Sequence, residues 1–100
     1  MINVRAFNNV TDGIDLQGQG NIIDGCTAIG NGSGMRVFEG SLVTDSVARG
    51  NTNFGLYLVG GSGYRSCVVT GNNGGDVNPQ VGGNGFQLGT NICGTDTVCP

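Results

Sequence analysis

The chain has 100 residues, of which 21 are glycine and only 11% are charged, and its formal net charge is −3. Its four cations, all arginine, are scattered, which excludes the clustered basic face of a nucleic-acid-binding protein. No stretch approaches the roughly 20 apolar residues of a transmembrane helix, and no signal-peptide pattern opens the chain. We therefore expect one small domain, residues 1–100, that binds neither nucleic acid nor membrane.

The first segment of the chain begins a pattern that returns three more times. Equivalent residues are 20 to 22 positions apart, so the repeat period is about 21 residues. The columns of this repeat are Met1/Ile23/Val43/Tyr64, Val4/Cys26/Ser46/Cys67, Ala6/Ala28/Ala48/Val69 and Asn9/Asn31/Asn51/Asn72. The repeat runs regularly over residues 1–73, which makes 74–83 an irregular loop and 84–100 the last coil with a C-terminal loop.

The asparagines of the last column are followed by a short spacer, a glycine and an apolar-x-apolar triplet, and the fourth triplet comes later in the chain. The four copies are Gly13–Leu16, Gly34–Val37, Gly55–Leu58 and Gly85–Leu88. Alternation with period two predicts short strands, and glycine with β-branched residues interrupts every window that could form a helix. Such repeats bury their apolar positions only by stacking on one another, so the sequence predicts an all-β solenoid of four to five coils.

The asparagine column predicts a ladder of stacked amides formed by Asn9, Asn31, Asn51 and Asn72, with Gly30, Gly50 and Gly71 at the preceding bend. This explains "GNGSG" at 30–34 as a turn, since a phosphate-binding loop would open a helix. The same column makes the glycosylation sequons at Asn9 and Asn31 coincidental. Residues 82–89 approach a calcium-binding nonapeptide but place Gln87 where a carboxylate is needed, so neither metal nor cofactor is predicted.

The repeat [IV]-x-x-C-x-A-x-x-N-(x2-3)-G-[ILM]-x-[LV] resembles that of right-handed parallel β-helix proteins of the pectin-lyase-like superfamily. The tail "GGNGFQLGTNICGTDTVCP" is similar to the closing segment of many of them. The resemblance implies a right-handed parallel β-helix, but this family includes lyases, hydrolases, adhesins and scaffolds, so the fold does not define the function.

The four cysteines fall into two groups. Cys26 and Cys67 share a column two coils apart, about 9–10 Å, which is beyond disulfide reach, so we expect two separate buried thiols. Cys93 and Cys99 can close a loop, and the resemblance points the same way, although a reduced pair remains the alternative. A disulfide there implies an oxidising compartment, and hence an extracellular or cell-surface location.

The outward position of each triplet forms a stripe of Asp15, Arg36, Tyr57 and Gln87. We expect Asp15 to pair with Arg36 and Arg36 to stack on Tyr57, with Gln87 joining if 74–83 loops out. The stripe could bind a polysaccharide. The remaining acidic residues fall in different columns, and the paired carboxylates of a glycoside hydrolase are absent.

The sequence thus favours a non-catalytic structural module of a secreted or surface protein. Met1 already occupies the column of Ile23, so upstream coils or another copy of the chain are expected to cover the first coil, whose bare strands would otherwise pair end to end. The alternatives are a carbohydrate-binding module that uses the stripe, and the distal part of a polysaccharide lyase or hydrolase.

Overall fold

A computed structural model describes residues 1–99 as a parallel β-solenoid of about four turns with no helix. Equivalent positions in successive turns are about 21 residues apart along the chain. The predicted all-β solenoid and its period are confirmed. Position 100, predicted to end the last coil, lies outside the described residues. Within residues 1–99 we find no helix of the length and apolarity that crossing a membrane requires.

The strands form three parallel sheets, to which every coil contributes about one strand each. Sheet I contains β1 (Arg5–Phe7), β4 (Thr27–Ile29), β7 (Val47–Arg49), β10 (Val68–Thr70) and β13 (Ile92–Cys93). Sheet II contains β2 (Ile14–Leu16), β5 (Met35–Val37), β8 (Leu56–Leu58) and β11 (Val81–Gly83). Sheet III contains β3 (Ile22–Asp24), β6 (Leu42–Thr44), β9 (Gly63–Arg65) and β12 (Phe86–Gln87).

The strand registers reproduce the columns of the repeat. Ala28 lies opposite both Ala6 and Ala48, and Val69 lies opposite Ala48, so small side chains stack along the inside of sheet I. Larger apolar side chains fill the inner positions of the other two sheets. The core comprises Ile14, Ile23, Cys26, Ala28, Met35, Val37, Val43, Ala48, Leu56, Leu58, Tyr64, Cys67, Val69, Val81 and Cys93.

A buried amide ladder runs along the bend after sheet I. Asn51 Oδ1 accepts from the Asn31 backbone N–H at 2.8 Å, and Asn51 Nδ2 donates to Asn72 Oδ1 at 2.8 Å. Asn31 Oδ1 accepts from both the backbone and the side chain of Asn9, at 3.0 and 2.8 Å. The preceding bend has positive φ at Gly30, Gly50 and Gly71, a conformation that glycine adopts without steric cost.

The ladder ends on Gln80, which the sequence pattern did not assign. Gln80 Oε1 accepts from both the backbone and the side chain of Asn72, at 2.8 and 3.0 Å. Its Nε2 donates back to three carbonyl oxygens of the 72–78 segment. The predicted loop 74–83 is therefore too long, because Gln80 takes the next ladder position and Val81–Gly83 form strand β11.

A short loop covers the C-terminal end of sheet I. The Cys93 backbone N–H donates to Asp96 O at 2.9 Å, and Cys93 and Cys99 form a disulfide with their Cα atoms 5.4 Å apart. Cys26 and Cys67 are free and buried, as their spacing predicted. The last coil is thus closed on sheet I by its own chain.

Candidate functional site

The outer face of sheet II brings three of the four predicted stripe residues together. Arg36 lies opposite Asp15 on one side and Tyr57 on the other. Asp15 is exposed, whereas Arg36 and Tyr57 are half-buried. The alternating pattern placed these three side chains in one column because each coil adds one strand to this sheet.

Gln87 does not belong to this column, so that part of the predicted stripe is wrong. Gly82 lies opposite Tyr57 in sheet II, whereas Gln87 lies opposite Tyr64 in sheet III. The Gly85–Leu88 triplet resembles the earlier triplets, but the preceding strand β11 already fills their position. Phe54 explains the glycine at 82, because a Cβ there would come within 2.7 Å of the Phe54 ring.

Arg36 is held by an acidic residue and two aromatic rings. Its Nη1 lies 3.8 Å from Asp12 Oδ2, so the ion pair forms with Asp12 rather than with the predicted Asp15. Asp15 instead accepts a hydrogen bond from Gln17 at 3.2 Å. The Arg36 guanidinium carbon lies 5.4 Å from the ring centre of Phe38 and 5.7 Å from that of Tyr57, so the predicted Arg36–Tyr57 contact is present.

A shallow groove of about 350 Å³ opens beside this arginine. The Phe54 and Tyr57 rings form one side, with their centres 5.8 Å apart and an interplanar angle of 44°. The other side chains lining it are polar: Ser33, Arg36, Asn53 and Asn73. An aromatic face with amide, hydroxyl and guanidinium groups can stack on an apolar ring face and hydrogen-bond polar substituents at its edge.

Sequence reasoning missed the loop residues of this groove. Ser33, Asn53 and Asn73 follow the ladder asparagines, where spacers of differing length prevent a common column. Phe54 precedes Gly55, and an aromatic residue on an outer loop was the one available signal. Only Arg36 and Tyr57 of the predicted stripe line the groove.

A larger cavity of about 650 Å³ lies at the C-terminal end, between the 76–80 segment and the disulfide loop. Its two carboxylates both accept backbone hydrogen bonds: Asp76 from Gly71 at 2.5 Å and Asp96 from Val98 at 2.9 Å. Within residues 1–99, no three His, Cys, Asp or Glu side chains are grouped so that they could hold a metal ion. Asp76 therefore stabilises the turn after β10, and Asp96 stabilises the closing loop of the last coil.

Two buried groups in the core have raised pKa values. Burial raises the pKa of Tyr64 to about 12, and the nearby Cys67 adds to that rise. Burial also raises the pKa of the Cys67 thiol. Both groups therefore stay neutral inside the solenoid at neutral pH, as core side chains do.

Comparison with protein-family models finds no family that matches the chain. Comparisons with curated proteins and with solved structures find no match either. The parallel β-solenoid is therefore established by the strand pairing, and the pectin-lyase-like relationship stays a resemblance of the repeat.

Proposed function

We propose that this chain is a non-catalytic structural β-solenoid module that associates end to end through its first coil. The observation that carries the proposal is the open edge of that coil. Strand β1 pairs only with β4, and β2 pairs only with β5, so each has one side without a neighbour among residues 1–99. Open strand edges are templates for pairing with another chain.

The distribution of exposed apolar side chains supports end-to-end association. Among residues 1–99, the exposed large apolar side chains all lie before residue 23 or after residue 76: Met1, Ile2, Val4, Phe7, Val10, Ile22, Val77, Phe86, Leu88, Ile92 and Val98. The middle coils expose none of this kind. Six of these side chains precede residue 23 and five follow residue 76, so the apolar surface is concentrated at the two ends, as is typical of interaction faces.

The test is light scattering over a range of concentrations on the chain and on Phe7→Pro. We expect the mass of the unmodified chain to rise with concentration and the variant to stay monomeric. The Phe7 N–H faces away from β4, so proline removes no internal hydrogen bond but blocks the edge. A Val77→Ser control at the other end should behave like the unmodified chain. A concentration-independent monomer would contradict the proposal.

The compartment belongs to the same proposal. A disulfide between Cys93 and Cys99 supports a secreted or surface-exposed protein, because such bonds persist in oxidising surroundings. The repeat resemblance to pectin-lyase-like β-helices supports the same location. The test is to express the chain in oxidising and in reducing compartments and to count its free thiols. Two free thiols are expected after oxidising export, and four would contradict this location.

Carbohydrate binding is a second candidate, supported by the groove beside Tyr57. A pyranose ring could stack on Tyr57 and Phe54 while Arg36, Asn53 and Asn73 hydrogen-bond its hydroxyl groups. We expect Tyr57→Ala to reduce binding to a panel of neutral and acidic glycans at least tenfold. Gln19→Ala, an exposed amide outside the groove, is the matched control. Equal binding by Tyr57→Ala and the unmodified chain would remove this candidate.

A further inference from the structure

The two ends of sheet I differ in their free backbone groups. Thr27 N–H donates to Val4 O at 2.9 Å, and Asn8 N–H donates to Ile29 O at 3.1 Å. Backbone groups of successive strand residues point to opposite sides, so those of Arg5 and Phe7 point away from β4, toward the open side. At the other end, the Cys93 N–H that points outward already donates to Asp96 O.

We propose that two copies of the chain associate through their first coils about a two-fold axis at Ala6, which gives a closed dimer. This rests on the end-to-end association proposed above and specifies its geometry. About such an axis the two β1 strands are antiparallel, and Arg5 of one copy lies opposite Phe7 of the second. Arg5 of each copy then exchanges two backbone hydrogen bonds with Phe7 of the other copy, which makes four such bonds in all.

The charges of the first coil fit this pairing. Arg5 and Phe7 both lie on the outer face of sheet I, where Arg5 is exposed and Phe7 is 48% exposed. The guanidinium of each copy would face the negative ring face of the other, and no two arginines would lie opposite each other. Asp12 is occupied by Arg36, while Asp15 and Asp24 lie on sheets II and III.

The covered C-terminal edge of sheet I favours a closed dimer over head-to-tail growth. Continued head-to-tail growth would need an open sheet I edge to receive β1. That edge is occupied by the loop that the Cys93–Cys99 disulfide holds in place. A face that pairs with its own copy forms a symmetric dimer, in which both β1 edges are used. Among residues 1–99, strands β11 and β12 each keep one open side at the C-terminal end, but neither belongs to sheet I.

Ala6→Cys provides the direct test. About the proposed axis, Ala6 and its copy form a non-hydrogen-bonded antiparallel pair, with Cα atoms about 4.5 Å apart, within the range that a disulfide spans. We expect oxidised glutathione to cross-link most of the Ala6→Cys chains into dimers, as seen on non-reducing gels. Val77→Cys, at a far-end position that is 96% exposed and so open to the oxidant, should stay monomeric on the same gel.

A second variant reports on the opposing pair even if Ala6→Cys folds poorly. Phe7→Glu would place a carboxylate opposite Arg5 of the second copy, so its dimer should persist at low salt and weaken as salt rises. Phe7→Ala should weaken the dimer about twofold to fivefold without this salt dependence. A Phe7→Glu chain that fails to dimerise at any salt concentration would contradict the opposition of residues 5 and 7.

The mass of the unmodified chain separates this proposal from the function on which it rests. A limit at twice the chain mass supports the closed dimer. Growth beyond that limit would overturn the two-fold arrangement in favour of head-to-tail stacking, and end-to-end association would stand. A dimer without the Ala6→Cys cross-link, with its thiol shown reactive, would overturn the axis position alone. A monomer at every concentration would overturn both.

Discussion

The middle and terminal coils of this solenoid are built from the same repeat but differ in what surrounds them. Asn51, in the middle, has ladder partners on both sides and is 2% exposed. At the N-terminal end Asn9 has a ladder partner on one side and is exposed. At the C-terminal end the chain adds Gln80 and a disulfide loop where the repeat stops. Each coil is therefore stabilised by its neighbours, and the ends need another source of contacts.

Removing a middle ladder amide should have the largest effect. Asn51→Ala would leave the Asn31 N–H, Ala28 O and part of Asn72 without partners inside the solenoid. At 1–3 kcal/mol for each buried group, the free energy of unfolding should fall by about 4 kcal/mol, measured by urea denaturation. Asn53→Ala, an exposed amide in the same coil, should change it by less than about 0.5 kcal/mol. Equal effects for both variants would contradict the ladder's role.

Truncating a core side chain should also distinguish the middle coils from the last coil, with a smaller loss of stability than the ladder variant. Leu56→Ala removes a side chain that is 1% exposed and leaves a cavity, so it should cost about 3 kcal/mol in unfolding free energy. Leu88→Ala removes the same atoms from the last coil, where the side chain is 59% exposed. We expect the second variant to lose less than a third as much. Similar losses would mean that the last coil is as well covered as the middle.

The disulfide should matter next. Replacing both Cys93 and Cys99 by serine removes a seven-residue ring, whose loop entropy corresponds to about 2 kcal/mol of unfolding free energy. Dithiothreitol should lower the stability of the unmodified chain by the same amount and leave the double variant unchanged. If dithiothreitol lowered the unfolding free energy of both proteins equally, the loss would not come from this disulfide.

The last effect, which is absent at neutral pH, concerns the ionisation of Tyr64. Its pKa is about 12 in the folded chain and about 10 when unfolded, so the stability due to its neutral form is complete below pH 10. It is lost as pH rises from 10 through 12, and at pH 11.5 the loss should reach about 2 kcal/mol. Cys67, whose pKa is also raised, adds a loss in the same direction. Tyr64→Phe should remove only the tyrosine part, and an unchanged alkaline profile would contradict its burial.

The fold could be predicted wherever the repeat holds. Columns such as Ala6/Ala28/Ala48 survive in the structure because a fixed period forces equivalent residues onto the same strand. The prediction fails after Asn72, where the next ladder residue comes eight positions later as Gln80. Glutamine supplies the same amide on a longer side chain, so a search for asparagine with a constant period misses it. Gln87 was misassigned for that reason.

The candidate groove was only half predictable. Arg36 and Tyr57 follow from strand alternation, which is a local property. Phe54 lies over Gly82 from the neighbouring coil, and that contact depends on how two loops of different length fold over the strand. The choice of Asp12 over Asp15 as the ion-pair partner of Arg36 likewise depends on loop geometry.

Amide hydrogen exchange at the first coil tests most directly whether its open edge is an interaction surface. The outward N–H groups of Arg5 and Phe7 should exchange rapidly in dilute solution and become protected as concentration rises. The N–H of Thr27, which donates to Val4 O, should be protected at every concentration. Rapid exchange of Arg5 and Phe7 that does not change with concentration would contradict association through the first coil.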